Sequence, residues 1–216
     1  MKVSEFSICK SLPIWAFIFC ILHFSCRDKN CPGVLEYHLP VSIAPLQDTF
    51  DIGDTLFLAI NFPKKMIDKQ AEIENVFENY DFRIEVSGSR YDIRHSVVSH
   101  IIDLTSQVGK DSLLSYSSFD IFRLNPNFDG NEYHYNGLLI LQESGVFALS
   151  IYCFSDNRIN PFEITGNCDH LNIHFYCDTN EGMDNNVELV KPYFVGNPDN
   201  WDNDFKKNGG FAFVVR

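Results

Sequence analysis

The chain has 216 residues, with 17 Lys and Arg against 29 Asp and Glu, so its formal net charge is −12 at pH 7. A surface this acidic repels nucleic-acid phosphates and anionic lipid headgroups, which argues against both as partners. The length allows one domain with a sizeable core or two very small ones, and one domain is the simpler prediction.

The N-terminus has the layout of a secretory signal. Lys2 and Lys10 precede an apolar run over residues 12–24, which is shorter than the roughly 20 residues that a membrane-spanning helix needs. A small residue and a cysteine, Ser25 and Cys26, close the run and resemble the lipobox of bacterial lipoproteins. In such proteins the cysteine thiol carries a diacylglycerol and begins the mature chain.

The domain organisation follows from this signal. We predict a signal peptide of the lipoprotein type over residues 1–25, a lipid-anchored spacer over 26–33 and a single domain over 34–216. The lipid on Cys26 is expected to hold the protein on a membrane of the cell envelope. The lipobox pattern has a branched aliphatic residue where this chain has His23, so ordinary cleaved secretion and an uncleaved signal anchor stay open as alternatives.

Short apolar or alternating segments follow one another through the domain, with turn residues between them. This pattern predicts an all-β fold with little helix, in which two antiparallel sheets pack as a β-sandwich of immunoglobulin-like or jelly-roll-like type. The predicted strands cover residues 34–39, 41–44, 55–62, 82–87, 97–104, 132–142, 145–154, 170–177 and 211–215.

Three local predictions can be checked individually. Pro40 and Pro45 interrupt the first two strands, which suits edge strands because proline cannot donate to a ladder. Residues 64–79 are the best helix candidate, although a loop with one helical turn fits nearly as well. The two residues before Gly145 predict a tight hairpin between strands 132–142 and 145–154.

Besides Cys26, which is expected to carry the lipid, four cysteines fall within the spacer and the domain, and an oxidising compartment favours disulfides among them. Cys168 and Cys177 flank an alternating strand, and about 3.3 Å per residue keeps them too far apart to bond. Cys153 ends the preceding strand, and a short loop predicts that the two strands are antiparallel neighbours or face each other. We therefore predict a Cys153–Cys168 bond, with Cys31 and Cys177 paired or reduced; a Cys153–Cys177 bond is the alternative and requires a different register.

The sequence contains no G-x-S-x-G, H-E-x-x-H, P-loop or C-x-x-C motif. We accordingly predict no catalytic residues and no cofactor. A glycan-active hydrolase stays open as an alternative, because such an enzyme needs only two carboxylates on facing elements.

Metal binding is not predicted either. His170 and His174 share one strand face about 13 Å apart, too far to ligate one ion together. The Asn- and Asp-rich tract over residues 178–204 has the oxygen atoms that calcium prefers, but Gly182 is the fifth residue from Asp178 and not the sixth, so the EF-hand pattern fails. A structural calcium ion is the alternative to plain turn-forming loops.

Trp201 is the one residue that hints at a ligand. It lies between Asp199 and Asp202 in the acidic tract, and sugar-binding loops combine an aromatic platform with polar groups for the hydroxyls. We therefore give Trp201, Asp199 and Asp202 as candidate ligand-binding residues, with a loop anchor as the alternative role of Trp201.

Together these features resemble the small cell-envelope lipoproteins of Bacteroidetes-type bacteria that carry an immunoglobulin-like β-sandwich. The likeness rests on the signal ending in Cys26, the Asp48–Leu56 stretch, the loop over residues 179–186 and the closing Gly209-Gly210-Phe211. The resemblance implies an envelope location and a sandwich fold, and it carries over no catalytic residue. We expect a non-enzymatic contact or binding module for protein or glycan; a structural subunit of an envelope complex is a further alternative.

Overall fold

The computed structural model describes residues 34–68, 72–92, 102–116, 119–154, 172–182, 185–193, 205–206 and 209–216. Residues 33–216 form one compact unit, and the signal, the spacer and Cys26 lie outside the described residues. The strands are β1 (Val34–Ala44), β2 (Thr49–Phe50), β3 (Thr55–Pro63), β4 (Lys65–Asp68), β5 (Ile73–Val76), β6 (Arg83–Arg90), β7 (Ile102–Val108), β8 (Lys110–Tyr116), β9 (Phe119–Asn125), β10 (Asn127–Phe128), β11 (Glu132–Leu141), β12 (Gly145–Phe154), β13 (Asn172–Thr179) and β14 (Phe211–Val215). Short 3₁₀ turns cover Asn180–Gly182, Val187–Leu189 and Lys191–Tyr193.

Two six-stranded sheets pack face to face, which confirms the predicted all-β sandwich. Sheet 1 has the order β10-β11-β3-β1-β13, and β7 also pairs with β11. Sheet 2 has the order β2-β14-β12-β6-β9-β8, and β4 and β5 form a separate hairpin. Most ladders are antiparallel, but β1 pairs with β13 and β14 pairs with β2 in parallel, so the sandwich is not antiparallel throughout as predicted.

The core lies between the sheets because each strand alternates an apolar inward residue with an outward one. Five inward residues of β1, from Leu35 to Ile43, are at most 1 % exposed, and β3 repeats the pattern from Leu56 to Phe62. A smaller cluster on the outer side of sheet 2 contains Ala148, Val187, Val190, Phe205 and Ala212. The segment after β13 therefore packs onto sheet 2.

The prediction of two edge strands before Pro45 is wrong. β1 runs unbroken through Pro40 and lies inside sheet 1, between β13 and β3. The N–H of Glu36 points away from β13, toward Asp68, whereas the N–H of Ile43 points to the β13 side, where Asn180 accepts it. Backbone N–H groups alternate sides along a strand, so an N–H at position 40 would point to the same side as that of Glu36. Pro40 therefore lacks its N–H on the side away from β13, and the ladder between β1 and β13 stays intact.

The helix predicted over residues 64–79 is also wrong, because the described part of this segment forms the β4–β5 hairpin. The side chains of Met66 and Asp68 are buried, while Lys65 and Ile67 are exposed. This period of two is that of a strand.

The predicted tight hairpin between strands 132–142 and 145–154 is a connection between sheets instead. β11 lies in sheet 1 and β12 lies in sheet 2, so the chain turns a corner at residues 142–144. Gly145 has a φ of 152°, and a Cβ atom there would come within 2.6 Å of the Arg90 side chain. The glycine is therefore required by the corner and by the approach of Arg90.

Candidate ligand-binding cleft

Sheet 1 is split where β1 and β3 separate. Their ladder ends at the Val41–Ile60 pair, although β3 continues beside β11 as far as Pro63. Pro40 has no N–H with which to extend the ladder toward β3. A gap therefore opens between the first half of β1 and the end of β3, and the β4–β5 hairpin turns across it.

The gap holds a cavity of about 620 Å³, which we call the split-sheet cleft. Its apolar part comes from β1, β3 and β4 and contains Pro40, Phe62, Pro63, Met66 and Ile67. Its polar part contains His38, Lys65, Asp178 and Glu181. A concave site with an apolar lining and a few charged groups is the usual form of a small-ligand site.

Two buried polar contacts fix the hairpin to β1. The carboxylate of Asp68 accepts a hydrogen bond of 2.5 Å from the backbone N–H of Glu36, and the amide of Asn75 donates to the hydroxyl of Tyr37. Burial raises the pKa of the Tyr37 phenol, and the charge of Asp68 adds to the effect. Tyr37 is therefore a neutral structural group, and two polar contacts hold the hairpin wall of the cleft against β1.

His38 and Asp178 form the polar wall on the outer face of sheet 1. The Nδ1 atom of His38 lies 3.0 Å from the Asp178 carboxylate, and the two side chains are 37 % and 46 % exposed. A pair this exposed contributes little to stability, of the order of 0–1 kcal/mol, so its atoms are available to a ligand. The ring of Tyr176 lies 5.5 Å from that of His38, and its hydroxyl donates to the Glu36 carboxylate at 3.3 Å.

Glu181 is held at the cleft by an unusual turn. Asn180 and Glu181 both have left-handed backbone angles, with φ values of 52° and 56°. Such conformations cost non-glycine residues about 1–3 kcal/mol each and persist only where neighbouring contacts enforce them. Here the Asn180 side chain accepts the N–H of Ile43 at 2.8 Å, and the Thr179 hydroxyl donates to the Gly209 carbonyl at 2.9 Å.

The residues that the sequence singled out are only partly described. Trp201, Asp199 and Asp202 lie outside the described residues, as do Cys26, Cys31, Cys168 and His170. His174 is exposed on the outer face of β13, with its ring 6.3 Å from that of Tyr176. In the part of the chain that the structure describes, no group of three or more His, Cys, Asp or Glu residues could hold a metal ion.

The two described cysteines are thiols, and no disulfide occurs among the described residues. The predicted Cys153–Cys168 bond stays a prediction, since Cys168 is not described. The sequence argument placed Cys177 far from Cys153, whereas the structure places both on one small cavity between β12 and β13. The prediction paired the end of β12 with the beginning of β13. The two cysteines meet because Cys153, near the end of β12, lies beside the later part of β13.

Sequence reasoning missed the split-sheet cleft. Its walls come from β1, β3, β4 and β13, and His38 and Asp178 are 140 residues apart. The available signal was the presence of a proline in each of two strands, Pro40 in β1 and Pro63 at the end of β3. Strand prolines interrupt ladders, so each limits how far its strand can pair with a neighbour.

Comparisons of this chain with protein-family models and with curated proteins found no match. Among the described residues, no helix has the length and apolar character needed to cross a bilayer.

Proposed function

We propose that the protein is a non-enzymatic lipoprotein of the cell envelope that binds an uncharged glycan in the split-sheet cleft. The observation that carries this proposal is the cleft itself, where a His–Asp pair and Glu181 stand beside apolar side chains in about 620 Å³. That volume lies within the range of about 300–1,000 Å³ that is usual for small-ligand sites, and it fits a few sugar rings.

The chemistry of the cleft favours sugar hydroxyls. Carboxylates accept hydrogen bonds from hydroxyl groups, and the imidazole and the Lys65 ammonium donate to them. The apolar residues, Met66 and Ile67 among them, suit the C–H face of a sugar ring. The net charge of −12 disfavours polyanionic ligands, so a neutral glycan is the better candidate.

The envelope location rests on the N-terminal sequence. The apolar run and the Ser25-Cys26 pair support lipid on Cys26, by which the membrane becomes a partner of the protein. Mass spectrometry of the mature N-terminus from the native host tests this part. A chain that begins at another residue, or an unmodified Cys26, contradicts it.

Binding is tested by calorimetry and NMR with neutral oligosaccharides of four to six sugars, and with a set of extended peptides as the second arm. We expect an oligosaccharide to bind, and we expect Asp178→Asn and His38→Ala each to weaken its affinity roughly 10- to 100-fold, since a hydrogen bond to a charged group contributes about 1.5–3 kcal/mol. The matched control is His134→Ala. His134 lies on the same sheet and contacts Asp129 at 3.2 Å, but it does not line the cleft.

The control variant should bind as the parent protein does. If the peptides bind and the oligosaccharides do not, the ligand of the cleft is a protein and not a glycan. Binding that is insensitive to both cleft variants would contradict the site.

A glycan-active hydrolase is the second candidate, because Asp178 and Glu181 both line the cleft and glycosidases use two carboxylates. Asp178 is already paired with His38, and this favours binding over catalysis. Release of reducing ends from the same oligosaccharides, lost in both Asp178→Asn and Glu181→Gln, would establish the enzyme and reject the non-enzymatic reading.

A further inference from the structure

Cys153 and Cys177 lie on facing inner surfaces of the two sheets. Cys153 follows Leu149 and Ile151 on the inward face of β12, and it packs against the main core. Cys177 follows Phe175 on the inward face of β13, and it belongs to that core with 1 % of its surface exposed. Neither thiol is needed for the cleft, which lies elsewhere on sheet 1.

The register of the two strands brings the thiols together. Both cysteines line one cavity of about 230 Å³, with Ile151 and Phe175 beside them. Gly209 lies against both Ile151 and Thr179, since a Cβ atom on it would lie 3.1 Å from the first and 2.9 Å from the second. Cys153 comes two residues after Ile151 in β12, and Cys177 comes two residues before Thr179 in β13. The two strands therefore run in opposite directions, and Cys153 lies opposite Cys177.

We infer that Cys153 and Cys177 form a disulfide that joins sheet 1 to sheet 2 when the protein matures in an oxidising compartment. The two thiols lose two protons and two electrons as the S–S bond forms. The electrons pass to a disulfide of an exchange catalyst or of oxidised glutathione, which is reduced to two thiols through a mixed disulfide. The cavity between the strands provides room for the bond.

A structural role suits these thiols better than a reactive one. Burial raises the pKa of Cys177 to about 12, and the Asp178 carboxylate adds to this rise. Burial also raises the pKa of Cys153, and the neighbouring Cys177 sulfur raises it further. The thiolate is the attacking species in exchange, so the folded, reduced protein should react slowly. The bond therefore forms while the chain folds, before the sheets close over the thiols.

Peptide mapping of the full chain, exported to an oxidising compartment, tests the pairing. Free thiols are alkylated under denaturing conditions, and the protein is cleaved before Asp residues without reduction. Cleavage at Asp129, Asp156, Asp169 and Asp178 places each cysteine in its own peptide, with Cys153 in residues 129–155, Cys168 in 156–168 and Cys177 in 169–177. We expect the first and third of these peptides to be linked.

Two results would overturn the inference. A link from residues 129–155 to residues 156–168 would establish the Cys153–Cys168 pairing that the sequence predicts. Full alkylation of Cys153 and Cys177 would show that they stay reduced.

Thermal unfolding gives a second readout. In a Cys31→Ser, Cys168→Ser background, we expect dithiothreitol added to the denatured and refolded protein to lower Tm by roughly 5–10 °C. The matched control adds Cys177→Ala, which should make Tm independent of dithiothreitol. An equal response of the two proteins to the reductant would contradict a bond between the sheets.

Discussion

The buried carboxylate of Asp68 accepts the backbone N–H of Glu36 at 2.5 Å, and this contact fixes the β4–β5 hairpin on the free edge of β1. Asp68 is 1 % exposed, so the hairpin is held by a charge that lies inside the protein. The hydrogen bond provides a partner for β1 in the part before Val41, where β3 does not pair with it. Together with the Asn75–Tyr37 contact, it holds the hairpin that forms one wall of the cleft.

Replacement of Asp68 by Ala should lower the free energy of unfolding by about 2–4 kcal/mol, because it removes a charge-assisted hydrogen bond and leaves a buried N–H without a partner. Urea denaturation measures the loss. Glu74→Ala is the control on the same hairpin, since its carboxylate pairs with Lys65 at the surface and should contribute less than about 1 kcal/mol. Equal effects of the two substitutions would show that Asp68 does not anchor the hairpin.

Phe82 is the centre of an aromatic cluster beneath the cleft. Its ring centroid lies between 4.6 and 5.1 Å from the rings of Tyr80, Phe62, Tyr133 and Phe175. Phe82→Ala should destabilise the protein by about 3–5 kcal/mol, because it removes a buried ring and leaves a cavity. Phe57→Ala removes the same atoms from a site that is 54 % exposed, and we expect a cost below about 1 kcal/mol. Thermal and urea unfolding of both variants provide the comparison.

The carboxylate of Asp129 should make the free energy of unfolding depend on pH in the acid range. Its carboxylate accepts the N–H groups of Glu132 and Asn131 and contacts His134, and these hydrogen bonds lower its pKa from 3.8 to about 2. Because its pKa is lower in the folded state, the ionised Asp129 stabilises the fold. This contribution is fully present above the pKa of the unfolded state, near 4, and is lost as the pH falls through 2. The stability difference between the parent protein and Asp129→Asn should therefore shrink between pH 4 and pH 2, as measured by urea unfolding at each pH.

A difference that stays constant over this range would contradict the lowered pKa. Glu74→Gln serves as the control, because its carboxylate contacts a lysine and not turn amides.

Regular alternation made much of the fold predictable. The strand predicted over residues 55–62 is β3, Thr55–Pro63. The strands predicted over 170–177 and 211–215 correspond to β13 and β14. In these strands the apolar face is the buried face, so the alternation of apolar and polar residues is enough to predict each strand.

The β4–β5 hairpin could not be predicted because its burial contradicts its hydropathy. Ile67 is 59 % exposed while Asp68, the next residue, is 1 % exposed. The buried aspartate accepts a hydrogen bond from the N–H of Glu36, 32 residues earlier, which offsets part of the cost of its burial. The hydropathy of neighbouring residues gives no information about a partner so far away in the sequence. The cleft was missed for the same reason, because one of its walls is this hairpin.

The parallel pairing of β1 with β13 has a mechanical consequence. β1 is the first described strand, and register pairs tie it to β13 continuously from Val34 to Val41. A pull on the N-terminal end of β1 along the strand axis loads these hydrogen bonds side by side, in shear, and does not open them one after another. A load applied at the N-terminal end of β1 is therefore resisted by the whole ladder at once.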